Sequence, residues 1–195
     1  MHNNPNNIIQ NKPGISKRVG DRRVLAVEFE IFPDLPSAPN ELWGSLWLWV
    51  EGVLVGRPNE TEMLQIAFES LRESARDDRG QASHVLSACS PIEALEAVMR
   101  ARYGVQPGYS AETVRLNDDE ILFSVEVLPR RTGPFFDGWE AILLDKGSRE
   151  HFIYRQDEMA VVEAAWPIGT FARVIDEAAI EWEFIAKSTT KRLIT

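Results

Sequence analysis

At 195 residues and 44% hydrophobic content, the chain can bury a sizeable core, and its length is that expected of one domain. A formal charge of −9 opposes binding to nucleic-acid phosphates, and one cysteine excludes both an internal disulfide framework and a cysteine-based zinc site. No window approaches the apolar length of a membrane span and no secretory signal is visible at the Asn-rich start, so a soluble, cytoplasmic protein is expected.

The charge is unevenly spread. Residues 1–23 carry Lys12, Lys17, Arg18, Arg22 and Arg23 against Asp21 alone, so the rest of the chain is more acidic than the total and would steer a basic partner. Residues 1–22, rich in Asn with Pro5, Pro13 and Gly14, read as a disordered tail, and 23–195 as a single globular domain. In 24–31, Leu25, Val27, Phe29 and Ile31 alternate with Val24, Ala26, Glu28 and Glu30, the period of a half-buried strand. Pro33, Pro36 and Pro39 then mark a loop.

Half of the six tryptophans fall in the next stretch. Residues 43–50 read as a strand that turns at Glu51-Gly52 and returns through Val53, Leu54 and Val55, with Gly52 supplying positive φ. Alternation places Trp43, Ser45, Trp47 and Trp49 on one face and Leu46, Leu48 and Val50 on the other. Leu64, Ala67, Phe68 and Leu71 then recur at helical spacing to about Ala75, and 77–81 is a polar break. A second helix begins with Ser90 as N-cap, Pro91 at its first position and Glu93 completing a capping box, and it ends at Gly104.

Residues 105–119 read as loop, 121–128 as a strand, and 139–144 with 149–154 as a hairpin turning at Asp145-Lys146-Gly147-Ser148. A further strand is expected over 160–165. Phe171, Val174, Ile175, Ala178, Ala179, Trp182 and Ile185 then form one apolar helical stripe, with Thr170 as its N-cap. Short connections imply antiparallel neighbours. The fold class is α+β: a largely antiparallel sheet of six or seven strands with helices packed on it.

Chemistry-bearing motifs are absent. His2, His84 and His151 are far apart, and Asp118-Asp119-Glu120 lacks the glycine and spaced oxygens of a calcium loop. Cys89 lies near His84, but no elbow glycines surround it, and a free cysteine commonly serves as a small buried hydrophobe. No Gly-rich phosphate loop is present, so neither enzyme activity nor a cofactor or metal is expected. What remains is a partner surface of aromatics and carboxylates: Trp47 rimmed by Glu28 and Glu30, and the acidic run Asp118, Asp119 and Glu120.

Val24-Leu-Ala-Val-Glu-Phe-Glu, Trp43-Gly44 with Trp49, the hairpin Gly52, Val55-Gly56, and Val161-Val-Glu-Ala-Ala-Trp-Pro-Ile-Gly-Thr-Phe171 together resemble the bacterial polymorphic-toxin immunity family numbered forty-two. The resemblance spans about Val24 to Lys187 and is weakest over 76–120. It implies a non-enzymatic cytoplasmic protein that binds and neutralises a cognate toxin. The alternative is an adaptor of unrelated role that binds another protein through the tryptophan hairpin.

Overall fold

The computed structural model describes residues 14–32, 42–76, 79–103, 124–128 and 134–193, the last five without their side chains. Along the chain it holds β1 (Ile15–Asp21), β2 (Leu25–Ile31), β3 (Trp43–Val50), β4 (Val53–Val55), β5 (Glu62–Met63), α1 (Leu64–Arg76), α2 (Gly80–Leu86), α3 (Pro91–Tyr103), β6 (Trp139–Lys146), β7 (Arg149–Gln156), β8 (Val162–Pro167) and α4 (Thr170–Leu193). The α+β class and the antiparallel pairing hold, with the strands divided between two sheets. One runs β1-β2-β3-β4 with β5 also paired to β3, and the other runs β6-β7-β8.

The first sheet includes a strand that the sequence reading placed in the tail. β1 pairs along its whole length with β2, from Ile15 opposite Ile31 to Asp21 opposite Leu25. Its side chains are mostly exposed, so it lacks the apolar alternation that marks a half-buried strand. The tryptophan hairpin forms as expected, with both Glu51 and Gly52 at positive φ, as a two-residue turn that follows the strand twist requires. Gly44 answers a different demand. A Cβ there would lie 2.0 Å from the Glu30 carbonyl and 2.6 Å from Leu64 Cδ1, so β2 and α1 approach too closely for any side chain.

Leu25, Val27, Phe29, Ile31, Leu46, Leu48 and Val50 turn inward and meet α1 and α4. Phe68 of α1 sits edge-on to Phe29, centroids 5.3 Å apart, and stacks on Trp182 of α4 at 5.6 Å. The second sheet is covered on both faces. Ala141, Leu143, Phe152, Tyr154, Ala164 and Trp166 join the same core, while Ile142, Leu144 and Ile153 form a second cluster with α2 and α3.

Of the strand expected over 121–128, residues 124–128 are described, and they make one antiparallel bridge, Glu126 to Ile142. Val125 and Val127 are both buried, one in each cluster. Helix α2 falls partly in the expected polar break. Arg79 makes it possible: its buried guanidinium donates to the Ser74 and Ala75 carbonyls at the end of α1, both at 3.2 Å, while the Ser83 hydroxyl accepts the Asp145 N–H at 2.8 Å.

The start of α4 departs from expectation. The Thr170 hydroxyl donates backwards to the Pro167 carbonyl, 2.7 Å, and the cap comes from Glu150 of β7. Its fully buried carboxylate accepts the Trp166 indole N–H at 2.6 Å, the Gly169 N–H at 3.1 Å and the Phe171 N–H at 2.5 Å. The cap of α3 is the one read from sequence: the Ser90 N–H donates to Glu93 at 2.9 Å and the Ser90 hydroxyl at 2.7 Å. Those bonds, side chain first and backbone second, hold the Glu93 carboxyl below its usual range.

Glu150→Ala leaves three N–H donors without an acceptor and is expected to lower the unfolding free energy by about 3 kcal/mol or more. Glu150→Gln, which keeps an acceptor oxygen, should lose less; urea denaturation of the two variants orders them. Because the Glu93 carboxyl is depressed in the folded chain, its stabilisation is complete above the unfolded carboxyl range and is lost as pH falls through the folded value. The melting-temperature gap between the wild type and Ser90→Ala should therefore be widest at neutral pH and narrow below about pH 4.

Candidate functional site

The outer face of the first sheet carries the tryptophans. Register places Arg18, Glu28 and Trp47 in one cross-strand row, Ser16, Glu30 and Ser45 in the next, and Ala26, Trp49 and Leu54 in a third. Trp47 is buried at 9% exposure, and Gly56 lies beside it: a Cβ at Gly56 would stand 3.2 Å from Trp47 Cβ, 3.1 Å from the Phe136 ring and 3.2 Å from the Phe135 carbonyl. The Arg57 N–H donates to the Phe135 carbonyl at 2.7 Å and ties the two segments together. Trp43 and Trp49 remain half-buried.

Trp49 is the organised member of the group. Its indole N–H donates to Glu28 Oε2 at 2.7 Å, and the Arg22 guanidinium lies over its ring, 4.3 Å from the centroid. The same Glu28 oxygen accepts from Arg22 Nε at 3.1 Å and from its terminal nitrogen. Three side chains from the β1–β2 turn, β2 and β3 thus close a clamp.

Two turns set it. The Asp21 carboxylate accepts the Arg23 N–H at 2.9 Å and its guanidinium at 3.2 and 2.9 Å, which shapes the β1–β2 turn and lowers the Asp21 carboxyl, the side-chain bond first and the backbone bond second. The hairpin turn then donates from Glu51 N–H to the Val24 carbonyl and from Gly52 N–H to the Arg22 carbonyl, at 3.0 and 2.7 Å. Those bonds fix the height of Arg22 above the sheet.

The residues expected at a partner surface separate here. Glu28 and Glu30 lie on the same face as Trp47, one strand away, while Asp118, Asp119 and Glu120 lie outside the described residues. Glu28 is engaged within the chain, so it orders Trp49 instead of standing as an open charge. Trp49 and Arg22 are not among the residues named for the partner surface from sequence. The signal was present in the alternation that puts Trp49 on the Trp47 face, but which tryptophan is buried and which is clamped is set by packing between distant segments.

The remaining chemistry is quiet. Among the described residues no group of three or more His, Cys, Asp or Glu stands where it could hold a metal ion. Burial first, and the Glu93 charge second, push the Cys89 thiol up against the opposing pull of Lys146, the reverse of an activated thiolate. His151 Nδ1 pairs with Glu163 Oε1 at 2.8 Å across β7 and β8, as a strand-to-strand contact. Among the described residues no helix is long and apolar enough to cross a membrane.

The family model described as immunity protein 42 matches residues 15–181. The chain belongs to that family. The match begins at the first residue of β1 and takes in both sheets, so this immunity protein 42 member carries its clamp inside the family domain. No curated protein matches significantly. Among solved structures, CdiI from Burkholderia dolosa is similar at 18% identity with a TM-score of 0.60, over 85% of this chain and 99% of that one. At that identity the likeness establishes the shared fold.

Glu28→Ala removes the acceptor of both the Trp49 indole and Arg22, and is expected to cost about 1–3 kcal/mol of unfolding free energy. In the same variant the Trp49 indole N–H should exchange with solvent faster than in the wild type, read by the indole resonances in a nitrogen–proton correlation spectrum.

Proposed function

We propose that this immunity protein 42 member neutralises a cognate bacterial polymorphic toxin in the cytoplasm by binding it in a stoichiometric, non-enzymatic complex that covers the toxin's active surface. The family match over residues 15–181 carries the reading. The docking surface is the outer face of the first sheet around Trp49, Arg22 and Glu30. A half-exposed indole already ordered by Glu28 and overlaid by a guanidinium presents two of the side chains that dominate binding energetics, at little further entropic cost. The acidic character of the chain beyond residue 23 steers a basic toxin toward it and raises the association rate more than the affinity.

Co-expression with the toxin domain encoded beside its gene tests the reading: the wild type restores growth, and lack of rescue would rule the function out. Arg22→Ala and Trp49→Ala should bind the toxin at least about tenfold more weakly in calorimetric titration, with unfolding transitions still cooperative. Wild-type affinity in both variants would move the toxin to another surface while leaving the neutralising role intact.

A further inference from the structure

Helix α4 carries an apolar pair on its solvent face. Phe184 is 69% exposed and Ile180 is 60% exposed, and Phe184 is the most exposed large hydrophobic side chain among the described residues. They stand one turn apart on the side opposite the buried stripe of Val174, Ala178, Trp182 and Ile185. Glu177 precedes Ile180 by three residues, and Lys187 follows Phe184 by three, so residues 177, 180, 184 and 187 form a seam with the three–four–three spacing of a helix-pairing face.

That seam is symmetric about residue 182 in position and antisymmetric in charge. We infer that α4 pairs with α4 of a second copy of this chain, antiparallel about a two-fold axis at residue 182, with Ile180 packed on Phe184 of the partner subunit and Glu177 facing Lys187 of the partner subunit.

A two-fold interface uses one patch twice, so it must be complementary to itself. This seam is: the axis that brings the two apolar residues together also sets carboxylate against ammonium at both ends. The contacts these charges now make are exposed pairs on their own helix, Arg173 to Glu177 at 3.1 Å and Lys187 to Glu183 at 3.9 Å, so exchanging them costs little. The flanks also allow two acidic chains to meet. Glu181 is paired with Lys17 of β1 at 2.9 Å, and Asp176 and Glu183 are paired with Arg72 of α1 at 3.2 and 2.7 Å, with Arg76 adding a second contact to Asp176 at 2.8 Å. No carboxylate of the described flank faces the partner uncompensated. A single helix seam buries less than a standard interface, so the dimer is weak and depends on concentration.

Sedimentation velocity over micromolar to millimolar concentrations of the full chain is expected to show reversible monomer–dimer exchange. Phe184→Asp, at an exposed position, should leave the melting temperature unchanged and hold the chain monomeric. Glu177→Lys and Lys187→Glu should each weaken association by about tenfold, because each places two like-charge pairs across the axis, and the double reversal Glu177→Lys with Lys187→Glu should restore it. Recovery in the double variant is the signature of antiparallel pairing. A chain monomeric at every concentration overturns the inference, as does a double variant no stronger than the single ones. Association that survives Phe184→Asp also overturns it, and so does a monomeric wild type whose toxin binding is lost in Phe184→Asp, because the patch would then belong to the toxin.

Discussion

The Glu150 carboxylate is the constraint on which the two-sheet arrangement rests. A buried carboxylate costs several kcal/mol in lost hydration. That cost is offset only because three N–H groups converge on it, and hydrogen bonds to a charged acceptor are worth about 1.5–3 kcal/mol each. Two of the donors are orphan amides at the start of α4, where the helix dipole also favours negative charge. The third is the indole of Trp166 on β8. One side chain on β7 thereby fixes the corner at which the second sheet gives way to α4, and Phe171 stacks on Phe152, centroids 5.9 Å apart, just inside that corner.

From that corner α4 determines the rest. Its first turn packs on the second sheet and its middle lies across β1 and β2, with Trp182 against Phe68 of α1. The inner face of the first sheet is therefore committed to the core, and its tryptophans have only the outer face. There Gly56 lies against Trp47, which is buried, while Trp49 is half-buried.

What was legible in the sequence is what local spacing controls. The β3–β4 hairpin turn, the Ser90–Glu93 box and the apolar stripe of α4 each depend on residues within one or two turns of one another, and each forms where expected. β1 was hidden because an edge strand with exposed side chains carries no apolar alternation, and only its register with β2 reveals it. α2 was hidden for a related reason: seven residues beginning with Gly80 have little helix preference, and Arg79 and Ser83 hold them through partners elsewhere in the chain. The α4 cap misled because Thr170 is a good N-cap type, whereas the true acceptor lies twenty residues earlier on another strand. Trp47 was favoured over Trp49 because alternation names a face and says nothing of what covers it.

The same distinction decides how charge should be read. An excess of carboxylates in a sequence suggests an open acidic surface, but here Glu28, Glu140, Asp176, Glu181 and Glu183 all lie in ion pairs within the chain. Paired carboxylates still contribute to the long-range field around the chain, since net charge sums over all of them. At contact they offer less, because breaking an internal pair offsets most of what a new one would contribute. The Glu28 clamp is such an internal pair: its carboxylate is taken up by the Arg22 guanidinium and the Trp49 indole N–H, and what it yields is the fixed placement of those two groups against each other.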